Sequence, residues 1–304
     1  RNRRYYRWLF PKNVFSSKRT MALLMIVPSL VPNYVGIGFA TGITVVAWFH
    51  CFREKFKTPL VYTMRVKRLF ATNIILFAII ATLAVLFAGT WASVIIGATL
   101  LLSNFVMLLA NLVNTPIEKA INRHYYNDAK RIIESNKNLI IIGVTGSFGK
   151  TSTKNYLASV LAEKYNVLVT PGNFNTLLGV IRTIREQLRP YHQVFIVEMG
   201  AKQKNDIKEI CDLVHPTIGI VTAVGEMHLE TFKSIENIQD TKFELINSLL
   251  ADGVGIINND SKYISGYKGI TSQCRIIRYA VDNGADYKAT DVQYGANGLS
   301  FRLN

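Results

Sequence analysis

LIIIGVTGSFGKTSTK, residues 139–154, joins a nearly continuous apolar run, Leu139–Thr145, to a glycine-bearing turn and then to a helix-forming segment, with no spacer between them. Such a run reads as a buried parallel strand. The turn, Gly146-Ser147-Phe148-Gly149-Lys150-Thr151-Ser152-Thr153, carries the residue types that a phosphate-binding loop needs. Glycines let backbone N–H groups approach phosphate oxygens, and the N-terminus of the following helix favours an anion. The lysine reaches the terminal phosphates and the hydroxyl after it can bind magnesium. The spacing is the short G-x-x-G-K-T, because G-x-x-x-x-G-K-[ST] would require glycine at Val144. Gly146, Ser147, Gly149, Lys150, Thr151 and Ser152 are therefore expected to bind a nucleotide. The loop alone does not separate a ligase from a motor, a kinase or a GTPase.

Beyond the loop, short apolar runs alternate with helical patterns. Val167–Thr170, Val194–Met199, Ile218–Val224 and Gly253–Ile257 are strand-like, while Lys150–Glu163, Leu177–Leu188, Asn205–Val214 and Ser234–Leu250 are helical candidates. This order predicts an α/β P-loop domain with a mostly parallel sheet covered on both faces.

The other half of the chain differs in kind. Residues 1–140 carry 18 Lys and Arg against 4 Asp and Glu, and residues 141–304 carry 17 against 16, so nearly all of the net charge of +15 precedes the loop. The long apolar runs lie there too. The charge is thus read as flanking membrane spans, and no nucleic-acid partner is expected. Leu69–Gly89 and Ala92–Val113, 21 and 22 residues without a charged side chain, can each cross a hydrocarbon core of about 30 Å. Basic flanks on both sides of the pair place the Thr90-Trp91 turn outside and both flanks in the cytoplasm. Met21–Phe52, interrupted by Pro28, Pro32 and Asn33, is read as a broken or hairpin span in preference to a cleavable signal peptide. Pro116–Ser135 fits either a connecting helix at the membrane interface or an amphipathic helix packed on the next domain, with Pro116 at its first position.

The expected organisation is an N-terminal α-helical transmembrane region over 1–115, a connecting helix over 116–137 and a nucleotide-binding domain over 138–304. The protein is expected in the bacterial cell membrane, multi-pass, with its ATPase domain on the cytoplasmic side. Cys51, Cys211 and Cys274 are scattered and support neither a disulfide framework nor a structural zinc site. The start at Arg1 and the stop inside the alternation Gly298–Asn304 are read as cuts through a longer protein, truncating the domain at its C-terminal end.

Five motifs in order carry a resemblance. GVTGSFGKTSTK (143–154), TPGNFNTLLGV (Thr170–Val180), VEMGA (Val197–Ala201), HLETFKSIENIQDTKFELI (His228–Ile246) and INND (Ile257–Asp260) resemble the central ATPase domain of the Mur ligases. Within that family the chain is most similar to the MurF type, which adds D-alanyl-D-alanine to a UDP-muramoyl tripeptide. The resemblance covers roughly Asn138–Asn304. Two features depart from it: apolar spans stand where a small uridine-binding domain usually precedes the loop, and Lys202-Gln203-Lys204-Asn205-Asp206 stands where a glycine–acid pair usually follows VEMGA.

The resemblance implies ATP and Mg2+ as cofactors and assigns roles residue by residue. Thr151 and Glu198 would bind one magnesium ion, and His228 would contact a second near the γ-phosphate. Lys242 would carry a carbamate that binds metal, Asn258 would contact adenine, and Asn173 and Asn175 would line the substrate side of the loop. Read without the family, Glu198 is a strand-end carboxylate that needs a cation or donors, His228 a loop histidine and Lys242 a solvated helical lysine. Lys150, His228 and Lys242 form the catalytic set. The implied reaction is amide formation in peptidoglycan precursor synthesis by a membrane-anchored ligase. ATP would activate the carboxylate of a muramoyl-peptide-like or lipid-linked precursor for attack by an amino acid or dipeptide amine, with membrane lipid as a further partner. The alternatives are a membrane P-loop ATPase driving transport or assembly and an inactive nucleotide-binding scaffold.

Overall fold

The structure, a computed structural model, describes residues 61–304 apart from 228, 296 and 297. The span expected over Met21–Phe52 lies outside the described residues. The chain divides between Ile121 and Asn122 into two compact units.

In the first unit, Thr63 caps helix α1, Met64–Phe87, its Oγ1 accepting from Val66 N at 3.4 Å. A 3-10 turn, Gly89–Trp91, leads into α2, Ala92–Leu101, and after Leu102 the chain enters α3, Ser103–Ser135. Arg68 Nε and Nη2 donate to Glu118 Oε1 at 2.9 and 2.6 Å, tying α1 to α3 within the unit.

Among the described residues only α1 is long and apolar enough to cross a membrane. The second expected span, Ala92–Val113, is interrupted at Leu102. Helix α2 has ten residues, about 15 Å at 1.5 Å per residue, or half a hydrocarbon core. The remainder belongs to a 33-residue helix that takes up charge from Glu118 onward. A charge-free stretch sets an available length and leaves the continuity of the helix unspecified. These observations correct the placement as a multi-pass protein of the bacterial cell membrane. The expected hairpin of two spans is thereby withdrawn as a ground for placing the ATPase domain on the cytoplasmic side. Pro116 lies inside α3 and not at its start. Proline cannot donate to the carbonyl four residues back. Side chains beside it bond the same stretch of backbone, Asn114 Nδ2 donating to Ala110 O at 2.9 Å and Thr115 Oγ1 to Asn111 O at 2.8 Å.

The second unit alternates strands and helices as expected. In order they are β1 Ile140–Thr145, α4 Lys150–Ala162, β2 Val167–Val169, α5 Leu177–Gln187, β3 Val194–Glu198, α6 Asp206–Val214 and β4 Ile218–Val221. There follow α7 Leu229–Phe232, α8 Ile235–Asn247, β5 Val254–Asn258, α9 Lys262–Ser265, β6 Arg275–Ala280, β7 Tyr287–Gly295 and β8 Gly298–Leu303. They build one sheet in the order β2-β3-β1-β4-β5-β6-β7-β8. Every neighbouring pair is parallel except β7–β8.

That order fixes the layers. The chain leaves β1 toward β2 on one side, then crosses from β3 past β1 to β4 on the other. Right-handed crossovers in opposite directions put α4 on one face of the sheet and α5, α6 and α8 on the other. The two cores agree: Ile142, Val144, Ile196 and Ile220 pack with Leu157 and Leu161 of α4, whereas Ile141, Phe195, Val197 and Val221 pack with Ile184, Ile210 and Ile246. The end of α3 adds Ala129 and Ile133 to the second core, and Asp128 Oδ2 accepts from Arg185 Nε at 2.6 Å. This part of α3 is a helix packed on the α/β domain, one of the two readings of the connecting segment. Strand β1 therefore stands between neighbours whose loops turn to the opposite face, which opens crevices at its carboxyl end.

Candidate active site

Strand register brings the site together. Val144 pairs with Glu198 and Thr145 with Val221, so β1, β3 and β4 end at one edge. Gly146, at φ 152°, lies so close to β4 that a Cβ would stand 2.1 Å from Thr222 Oγ1. Gly149 takes a left-handed φ of 78°, which lets α4 begin at Lys150. Ser147 fastens the loop to the β4 side: its N donates to Ala223 O at 2.6 Å, and its Oγ accepts from Gly225 N at 3.0 Å. Lys150 Nζ folds back onto the loop, donating to Gly146 O at 2.8 Å and Ser147 O at 3.3 Å. Burial pushes its pKa down against the opposing pull of Glu198. Ser152 is exposed in the first turn of α4.

Glu198 is 2% exposed, and both of its carboxylate oxygens accept hydrogen bonds. Its Oε2 accepts from Thr151 Oγ1 and Lys154 Nζ, both at 3.0 Å, and its Oε1 from Asn175 Nδ2 at 3.0 Å. Burial acts to raise the carboxyl pKa, but these donors and the Lys154 charge outweigh it and hold the group below the ordinary carboxylate range. Asn175 is positioned by its own backbone, its O accepting from Gly200 N at 2.7 Å. A Cβ on Gly200 would meet Asn175 Cγ at 2.8 Å, so the glycine of VEMGA makes room for this contact. Thr151 and Glu198 set two hard oxygens side by side. That donor set fits Mg2+, which takes one or two carboxylates together with substrate phosphates. Among the described residues no group of three or more His, Cys, Asp or Glu could hold a metal alone.

Lys242, on α8, is 5% exposed, and among the described residues its side chain has no hydrogen bond or ion pair. Burial first and the charge of Lys150 second push its pKa down to about 8. It is therefore not the solvated lysine that its helical position suggests. Asn258 closes β5, its Oδ1 accepting from Asp260 N at 3.0 Å. Asn173 is exposed and joins the turn through its carbonyl, which accepts from Asn175 N at 2.8 Å. His228 lies outside the described residues. The structure thus gathers Lys150, Thr151, Glu198 and Asn175, while Asn173 meets the group only through backbone.

The model of the Mur ligase middle domain matches residues 144–304. The chain belongs to the Mur ligase family. It is 33% identical over 163 residues to the UDP-N-acetylmuramoyl-tripeptide–D-alanyl-D-alanine ligase of Bacillus subtilis, an overlap of 54% of this chain and 35% of that protein. Among solved structures it is similar to MurF from Acinetobacter baumannii, at TM-score 0.55 and 29% identity over 59% of this chain and 39% of that one. It is also similar to the MurF ligase from Thermotoga maritima in complex with ADP, at TM-score 0.54 and 26% identity over 60% and 41%. The chain spans about a third of the length of the Bacillus relative.

Sequence reasoning missed one residue of this Mur ligase site. Lys154 is 2% exposed, and its Nζ donates to Thr170 O at 2.9 Å, Gly172 O at 3.0 Å and Glu198 Oε2 at 3.0 Å. The available signal was its spacing: four residues after Lys150 on one helix, it shares a face with the loop lysine.

Proposed function

We propose that this chain is the ATP-binding part of an amide ligase of peptidoglycan precursor synthesis. The observation that carries the reading is the Lys150–Thr151–Glu198–Asn175 constellation at the end of β1, where a nucleotide's phosphates would meet the helix N-terminus and the carboxylate together. A carboxylate oxygen of the acceptor peptide attacks the γ-phosphorus of ATP, giving an acyl phosphate and ADP. The amine then attacks the acyl carbon, loses a proton, and expels inorganic phosphate. Phosphorylation is required because a carboxylate has no leaving group better than oxide.

In this reading Lys150 leaves the loop carbonyls for the β- and γ-phosphates, and the loop's backbone N–H groups cradle them, apart from that of Ser147, which Ala223 O holds. Thr151 and Glu198 would hold magnesium, whose charge, when it is bound, stabilises the transferring phosphoryl group. Asn258 is assigned to adenine, His228 to a second metal, and Asn173 and Asn175 to the substrate side.

Lys242 is assigned as the carbamate. A lysine with a pKa of about 8 has a substantial neutral fraction at cellular pH. Its free amine adds to CO2 and releases a proton, turning a cation into an anion with two oxygens. That reversal answers the charge problem of a second metal beside a buried ammonium.

The test is ligation by the full-length protein supplied with ATP, Mg2+ and D-alanyl-D-alanine or single amino acids. A muramoyl tripeptide is offered in one arm as the UDP conjugate and in another as the lipid-linked form, with products read by mass spectrometry. Amide product formed one-for-one with ADP supports the reading. ATP hydrolysis without amide in any arm overturns it in favour of an ATPase driving transport.

A further inference from the structure

Lys154 belongs to none of the roles above. Its ammonium has three N–H donors and meets three acceptors: two carbonyls of the turn after β2, Thr170 O and Gly172 O, and one oxygen of Glu198. It is among the largest fully buried side chains of the protein. An ammonium taken so far out of water is costly and persists only when paired and fully bonded.

The bonding of Glu198 is asymmetric. Each carboxylate oxygen offers about two acceptor positions. Among the described residues Oε2 is filled by Lys154 and Thr151, whereas Oε1 accepts only Asn175. One position on Oε1 is thus left for a cation. The charges are uneven as well: Lys154 neutralises Glu198, and among the described residues Lys150 has no acidic partner beyond the pull of the same carboxylate. A divalent ion arriving alone meets a single carboxylate with three of its about four acceptor positions filled, beside the ammonium groups of Lys154 and Lys150.

We propose that Lys154 is a positioning residue and a built-in countercharge for Glu198, aiming Oε1 at the metal and making divalent-cation uptake depend on the nucleotide's phosphates. The proposal rests on the reading of Glu198 as a magnesium ligand. An ATP-using site gains from this arrangement, since bare metal does not preoccupy the loop and the cation enters as the nucleotide complex.

The experiment measures Mn2+ binding to the full-length protein by electron paramagnetic resonance, with Mn2+ alone and with Mn2+ plus ADP. Wild type, Lys154→Arg, Lys154→Met, Lys154→Gln, Glu198→Gln and the double variant Lys154→Met/Glu198→Gln are compared. Wild type and Lys154→Arg are expected to take Mn2+ only with ADP. Lys154→Met and Lys154→Gln should bind Mn2+ alone at least about tenfold more tightly than wild type, because a unit charge within a few ångström of the site is removed. The double variant should lose that gain. Lys154→Gln can still donate to Thr170 or Gly172, so it carries the test if Lys154→Met does not fold. Unchanged binding of Mn2+ alone in the folded neutral variants overturns the countercharge while leaving the metal assignment standing, provided that Glu198→Gln weakens Mn2+ binding with ADP. If Glu198→Gln leaves that binding unchanged, the assignment of Glu198 fails and the proposal fails with it.

Discussion

Replacing Lys242 by Met should stabilise the protein at pH 7 in CO2-free buffer, the opposite of the usual outcome for a buried position. Lys242 is 5% exposed, and its pKa falls from 10.5 to about 8, with desolvation the largest cause, the charge of Lys150 next, and Glu244 and Asp206 opposing. At about 1.4 kcal/mol per pKa unit, that displacement corresponds to a native-state penalty on the order of 3 kcal/mol when the amine is protonated. Methionine keeps most of the length and none of the charge, so a gain of about 1–3 kcal/mol is expected. The sign with pH follows from proton counting. The unfolded chain holds the Lys242 proton up to about pH 10.5, whereas the native chain releases it near 8. The penalty is complete below pH 8 and fades as pH rises through that window, so wild type gains on the variant. Urea unfolding of wild type and Lys242→Met at pH 7 and pH 10 reads the difference, in which other titrating groups largely cancel. A stability gap that does not change with pH, or a wild type more stable than the variant at pH 7, would refute the reasoning.

Three further expectations accompany it. Lys150→Ala should lower ATP turnover by about a hundredfold or more while leaving the melting temperature nearly unchanged, because the loop lysine bonds only loop carbonyls; turnover assays and calorimetry check both halves. Lys242→Ala should lose ligation, and millimolar acetate or bicarbonate should restore part of it by supplying the missing oxygens; full activity without added anion would make Lys242 a packing residue. Gly146→Ala places a Cβ 2.1 Å from Thr222 Oγ1, so a loss of about 1–3 kcal/mol and of nucleotide binding is expected, read by urea unfolding and by ADP titration.

Strands β1 to β5 were legible because each is an apolar run beside a helical pattern: β1, β3 and β4 are buried along nearly their whole length. Strand β6 lacked that signal, since Arg275 and Arg278 punctuate it and only Ala280 is fully buried. Helices α7 and α9, four residues each, are too short to show a period. Glu198 stood out as a carboxylate ending an apolar strand. Lys154 did not, because a lysine on a mixed helix reads as solvated, and its acceptors come from the β2 and β3 ends, far away in sequence. Lys242 was assigned by motif alone, and its burial became visible only when α8 was packed on the sheet. The division of Ala92–Val113 between two helices and the continuation of α3 through Pro116 were equally unreadable, since charge-free length and a single proline do not specify where a helix breaks.

The central claim is that the ligand's own carboxylate takes the γ-phosphoryl group of ATP. It is tested most directly by following an oxygen isotope: a muramoyl tripeptide carrying 18O in its reactive carboxylate is incubated with ATP, Mg2+, the amine and the full-length protein. An acyl phosphate leaves one carboxylate oxygen on the phosphate that the amine expels, so the account predicts one 18O atom in each inorganic phosphate released. Phosphate free of 18O, with its new oxygen drawn from water, would contradict it.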